Sequence, residues 1–190
     1  GARALSYLRE KRLLLDETMT ANGIGYNDAD RWLTWGGTRI FAAHGLTIPT
    51  DYGGALWRVN IRRPVSTPKY QAVTGSRVQL FNGDALADAS FEAVICAGEF
   101  DAMLAQQSAP AGMAAVTFGS ESKTPTWEAR YLLRSRRVLI VFDADATGEA
   151  GAQRWREYVP WAEIVTPTAH DLTDMAHKGV HIGAWLAIQL

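Results

Sequence analysis

The second half of the chain repeats a single rhythm, a short apolar run followed by an amphipathic stretch, most clearly in VLIVFDADATGEAG from Val138 to Gly151. A run such as VLIVF, apolar at every position, suits a strand buried on both faces, which is the signature of a parallel sheet. The pattern predicts strand Glu92 to Cys96, helix Glu99 to Gln107, strand Ala114 to Phe118, helix Trp127 to Leu133, strand Arg137 to Phe142, helix Glu149 to Tyr158 and strand Glu163 to Thr166. Right-handed crossovers between such strands place helices on both faces and bring the carboxyl ends of neighbouring strands to one edge. Thr124 before Pro125 is the expected start of the middle helix, because proline is tolerated in a first helical turn.

The first part of the chain reads differently. Tyr7 to Leu15 has helical spacing of apolar residues, Asp16 is placed to cap a short helix ending near Gly23, and Gly23 to Tyr26 reads as a turn. The runs RIFAAHGLTIPT and GALWRVNIRR are strand-like, separated by the turn signal Asp51-Tyr52-Gly53-Gly54, and Pro64 and Pro68 break up the loop that follows. The expected class is α/β: a mixed α/β N-terminal lobe with a meandering sheet over residues 1–81, followed by a parallel-sheet α/β domain over residues 82–190.

Charge divides along the same line. Residues 1–80 carry 11 Lys+Arg against 6 Asp+Glu, whereas residues 81–190 carry 8 against 14. A basic lobe joined to an acidic one is consistent with one surface that holds phosphates and another that holds cations. No apolar run approaches the roughly 20 residues that span a bilayer and no charged-then-apolar leader opens the sequence, so the expectation is a cytoplasmic protein without a membrane partner. The single cysteine, Cys96, lies within an apolar strand pattern and reads as a buried thiol. Most of the seven tryptophans are expected in the core.

Chemistry concentrates at the predicted sheet edge. Asp143 and Asp145 are two apart; if the strand continues through them, both carboxylates project to one side and suit a divalent cation such as Mg²⁺ or Mn²⁺. The alternative is that Asp145 only caps the following helix and Asp143 only ends the strand. In HDLTDMAHKG, Asp171 and Asp174 follow the last predicted strand, open a short helix and add two carboxylates to the same edge. His177 and His181 have zinc-pair spacing, but Gly179 interrupts the helix between them and no third ligand is evident.

These pieces, taken in order, resemble the Toprim domain: Gly98-Glu99-Phe100-Asp101-Ala102, the FGS of Phe118 to Ser120, Phe142-Asp143-Ala144-Asp145 with Gly148, and the segment Asp171 to Asp174. The first part is similar to the companion lobe of bacterial and phage DNA primases in YLREKRLLLDETM, GIGY, GLTIPTDYGGALWRVNIRR and PKYQAVTGSR. The resemblance implies a primase catalytic core that joins ribonucleoside triphosphates on a single-stranded DNA template. It implies Mg²⁺ or Mn²⁺ at Asp143 and Asp145 with Asp171 or Asp174 assisting, and a basic surface of Arg62, Arg63, Lys69 and Arg77 for template and nucleotide. Primases of this kind also meet a replicative helicase, through regions with no counterpart in this sequence.

One position departs from the pattern. The family carries a glutamate immediately before the glycine of the first turn, and this chain has Ala97 before Gly98. Loss of a general base costs typically 10²- to 10⁴-fold. The chain is therefore expected to be a disabled enzyme, or one in which Glu99 or Asp101 takes over. Two other readings accompany it: a noncatalytic single-stranded-DNA-binding module derived from a primase, and a Toprim nuclease.

Overall fold

The computed structural model describes residues 1–87 and 91–189. The chain separates into two compact units, Gly1–Gln79 and Leu80–Leu190.

The first unit opens with α1 (Ala2–Ser6), which runs on as a π-helical turn over Tyr7–Lys11, followed by α2 (Asp16–Ala21). The helical stretch thus starts earlier and stops earlier than the sequence pattern predicts. Leu13, with φ of 55°, breaks it. Asp16 is the first residue of α2 rather than its cap, and its carboxylate instead pairs with the Arg9 guanidinium at 2.5 Å. Six strands follow: β1 (Gly25–Asn27), β2 (Arg31–Trp35), β3 (Thr38–Ala42), β4 (Gly45–Tyr52), β5 (Ala55–Arg62) and β6 (Tyr70–Ala72). The order β1-β4-β5-β6 forms an antiparallel sheet, and β2 and β3 make a separate two-stranded ribbon.

Gly36-Gly37 joins β2 to β3 and Gly53-Gly54 joins β4 to β5, all four with positive φ. Two consecutive left-handed residues make the hairpin turn whose twist matches that of its strands, and glycine adopts that conformation without a Cβ clash. The turn predicted for Gly23 to Tyr26 is half strand, because Gly25 and Tyr26 pair with Thr47 and Leu46.

In the second unit the predicted alternation is realised. A 3₁₀ turn at Gly83–Leu86 precedes β7 (Glu92–Cys96), α3 (Glu99–Ser108), β8 (Met113–Val116), α4 (Trp127–Leu133), β9 (Arg137–Val141), α5 (Ala146–Tyr158), β10 (Glu163–Ile164), α6 (Leu172–His177) and α7 (Ile182–Gln189). The four strands are parallel, in the order β10-β9-β7-β8. Their alternate side chains feed two layers. Ala93, Ile95, Val138, Ile140, Ala114 and Val116 join Leu133 of α4 and Trp155 of α5 in one apolar cluster. Cys96 is 1 % exposed, and burial pushes its thiol well up, so it is an inert core residue.

Three local expectations are corrected. The helix α4 spans Trp127–Leu133 as the pattern predicts, but its start signal is Thr126, whose hydroxyl accepts the Ala129 amide, and not Thr124. Strand β9 ends at Val141, so Asp143 and Asp145 lie beyond it in the turn and not on an extension of the strand. Among described tryptophan side chains only Trp155 is buried; Trp32 is 62 %, Trp127 65 % and Trp161 44 % exposed. Short aliphatic and alanine-rich strands already close the core of this small sheet, which leaves room inside for few large rings.

Candidate metal centre

The site lies at the carboxyl ends of β7, β9 and β10, where a parallel sheet presents its loops. Asp145 is the N-cap of α5: its Oδ1 accepts the amides of Thr147 at 2.8 Å and Gly148 at 2.9 Å. Asp171 does the same for α6, its Oδ1 accepting the Asp174 amide at 2.6 Å. Capping therefore consumes one oxygen of each carboxylate and leaves the other, Oδ2, available. Cap and ligand, alternatives at the level of sequence, are compatible roles for two oxygens of one side chain.

Between those free oxygens stands His170. Its Nε2 is 3.7 Å from Oδ2 of Asp145 and its Nδ1 is 3.8 Å from Oδ2 of Asp171. Its carbonyl accepts the Ala144 amide at 2.7 Å, which ties the segment before α6 to the turn holding Asp143 and Asp145. Ligand atoms of Asp143, Asp145 and His170 lie within 4.8 Å of one another, as do those of His170, Asp171 and Asp174. All four predicted metal carboxylates are thus drawn together around a histidine.

Asp143 is held differently. Its amide donates to Oε1 of Glu121 at 2.9 Å, and Glu121 comes from the loop after β8. Because β7 lies between β8 and β9, that loop must cross the end of β7 to reach Asp143. Gly148 lets the first turn of α5 close on the Asp143 backbone, since a Cβ there would lie 2.0 Å from the Asp143 carbonyl oxygen. Gly151 packs in the same way on the backbone of Glu121, where a Cβ would lie 2.8 Å from the carbonyl oxygen.

The electrostatics follow from this crowding. Burial, then the charges of Glu121 and Asp171, push the Asp143 carboxyl up to about 6, against the opposing pull of His170. Glu121 is raised mainly by burial. Asp145 is held below its ordinary range, chiefly by the Gly148 amide. Carboxylates gathered at this density repel one another until a cation neutralises them, and the donor set of carboxylate oxygens plus one imidazole suits a divalent ion.

The residues expected near the first turn are not drawn in with them. Ala97 is 9 % exposed, belongs to the apolar cluster with Phe118, Phe142 and Trp155, and its carbonyl accepts the Thr117 hydroxyl at 3.3 Å. Glu99 is buried in the first turn of α3, and Asp101 accepts the Thr173 hydroxyl at 3.3 Å. Neither acid joins a ligand-bearing group among the described residues. His177 and His181 form no such group there either. Two members of the site, His170 and Glu121, escape sequence reasoning. The only local hint for His170 is its place immediately before Asp171, and Glu121 has none, lying in a loop without periodicity.

In the first unit, Arg62 lies with its guanidinium 4.3 Å from the Tyr7 ring centroid. Its Nε is buried without a hydrogen-bond partner. The Arg63 amide donates to the Lys69 carbonyl at 2.9 Å and the Arg77 amide to that of Trp57 at 2.8 Å. Lys69 and Arg77 are exposed and Arg63 is partly so.

With an antiparallel sheet in the first unit and a four-stranded parallel sheet in the second, the chain has the fold of DNA primase catalytic cores. Among solved structures the chain is similar to the DnaG catalytic core, with a TM-score of 0.74 and 18 % identity over 98 % of this chain and 72 % of that one. A DNA primase domain from Pseudomonas aeruginosa gives 0.72 at 18 % identity, covering 98 % and 71 %. The primase domains of a bacteriophage T7 assembly with lagging-strand DNA polymerase, bound to an RNA/DNA hybrid and dTTP, give 0.60 at 16 % identity, covering 93 % and 87 %. No protein-family model matches the chain and no curated protein matches it in sequence. No helix among the described residues is long and apolar enough to cross a membrane.

Proposed function

We propose that the chain is the catalytic core of a DNA primase, a nucleotidyltransferase that joins ribonucleotides on a single-stranded DNA template. The observation that carries this reading is the gathering of Asp143, Asp145, His170, Asp171 and Asp174 at the carboxyl edge of the parallel sheet. A divalent ion bound there would neutralise triphosphate charge and favour in-line attack by a 3'-hydroxyl. Asp143 and Asp145 would hold it, with Asp171 or Asp174 assisting. The caps on α5 and α6 keep Asp145 and Asp171 from swinging away, so the site is organised before nucleotide arrives.

Arg62, Arg63, Lys69 and Arg77 supply the basic surface for template and nucleotide phosphates. Affinity for single-stranded DNA should therefore fall steeply with salt. Lys69→Ala should flatten the slope of log affinity against log salt by about 0.7, the increment that each neutralised phosphate adds on a single strand. An unchanged slope in a salt-titrated anisotropy measurement would remove Lys69 from the interface.

A second reading has its own support in Ala97, a methyl group where a carboxylate would serve as general base. On that reading the chain is a noncatalytic single-stranded-DNA-binding module. Primer synthesis by the chain and by Ala97→Glu, assayed side by side with Mn²⁺, separates the two. The primase reading expects the glutamate to raise synthesis by about 10²-fold or more. Equal activity in both would put the base at another residue, and template binding without synthesis in either would favour the noncatalytic module.

A further inference from the structure

His170 is half exposed, belongs to no helix or strand, and stands with both ring nitrogens towards carboxylate oxygens that helix capping leaves unused. The separations of 3.7 and 3.8 Å are too long for hydrogen bonds. They are wide enough for an ion to be shared between ring and carboxylate, since metal bonds from nitrogen and oxygen are about 2 Å each. The backbone of His170 is fixed independently of its ring, by the Ala144 amide.

We propose that His170 is a nitrogen ligand of the cation site and makes that site prefer Mn²⁺ to Mg²⁺. The proposal rests on the reading of Asp143 and Asp145 as cation ligands given above. Mg²⁺ takes oxygen donors and keeps much of its water; Mn²⁺, although the weakest binder of the divalent transition series, is softer than Mg²⁺ and accepts an imidazole nitrogen beside carboxylates more readily. A neutral imidazole has one lone pair, so His170 serves one of its two carboxylate groups as ligand and the other as hydrogen-bond donor. When the Nε2 lone pair joins Asp143 and Asp145 on the ion, the Nδ1–H closes its present 3.8 Å gap to Oδ2 of Asp171 and donates to it. Asp171 is then the positioning residue, in the carboxylate–histidine–metal arrangement that orients a ligating ring.

The test measures binding of Mn²⁺ and Mg²⁺ to the whole chain without substrate, by electron paramagnetic resonance of free Mn²⁺ and by competition with Mg²⁺. The protein should bind Mn²⁺ about 10-fold more tightly than Mg²⁺, and His170→Ala should erase that preference by weakening Mn²⁺ about 10-fold while changing Mg²⁺ little. Electron spin echo modulation of bound Mn²⁺ should show nitrogen coupling that disappears in His170→Ala and persists, with weaker binding, in Asp171→Asn. Mn²⁺ bound without nitrogen coupling, or a preference that survives His170→Ala, overturns the role of His170 while leaving the carboxylate site standing. No Mn²⁺ binding by the unsubstituted chain, or binding undiminished in Asp143→Asn with Asp145→Asn, overturns the cation site itself and the proposal with it.

Discussion

Replacing Gly148 with alanine will cost the second unit about 3 kcal/mol or more, at the upper end of what overpacking does elsewhere. The added methyl would lie 2.0 Å from the Asp143 carbonyl oxygen and 2.9 Å from both its carbonyl carbon and its amide nitrogen. Those are backbone atoms, so no rotamer change relieves the overlap. Either the first turn of α5 moves, which breaks the Asp145 cap, or the Asp143 turn moves, which separates its carboxylate from Asp145 and His170. In thermal unfolding the midpoint should drop by about 6–12 °C, and Mn²⁺ should bind more weakly to whatever remains folded. Thr147→Ala, one residue earlier and exposed, is the control and should stay within about 0.5 kcal/mol. A Gly148→Ala protein with an unshifted midpoint and intact Mn²⁺ affinity would show that α5 does not buttress the site.

The second large effect has the opposite sign. Asp143→Asn should stabilise the metal-free protein at neutral pH while abolishing its response to metal. The Asp143 carboxyl is raised from 3.8 to about 6 by burial, Glu121 and Asp171, with Asp145 adding to the repulsion and His170 opposing it. A carboxyl raised on folding contributes stability that is fully present below its ordinary value of 3.8 and is lost as the pH rises through about 6. At pH 7.5 the folded chain therefore carries a penalty that asparagine removes. The shift alone corresponds to about 3 kcal/mol, and partial solvent access reduces the expected gain to about 1–2 kcal/mol. At pH 4 most of the difference should vanish. Added Mn²⁺ should raise the unfolding midpoint of the parent chain and leave that of Asp143→Asn in place. Urea unfolding at the two pH values checks both signs, and a variant less stable than its parent at pH 7.5 would mean that Asp143 is held by attraction rather than crowded by repulsion.

Much of this arrangement is legible in the residues, and the misses have physical causes. VLIVF reads as a strand because apolar side chains at every position require two buried faces, and β9 has both. Asp145 reads as either ligand or cap because an acid before a helix serves both purposes, and the structure gives each oxygen its own partner. The tryptophans depart from expectation because a hydrophobic side chain has a preference for the interior but no address in it. Trp127 instead packs edge-on against Tyr131, ring centroids 6.4 Å apart, on an exposed face of α4.

What the sequence determined by itself was the alternation of strands and helices and the position of each acid at a strand end or a helix start. Those features depend on neighbours a few residues away, and side-chain periodicity and capping record them locally. Only the tertiary structure decided that Glu121, from beyond β8, would hold the Asp143 backbone, and that His170 would stand between Asp145 and Asp171. Such meetings depend on strand order and on how far each loop reaches across the sheet edge, and no periodicity along the chain encodes a distance between two loops.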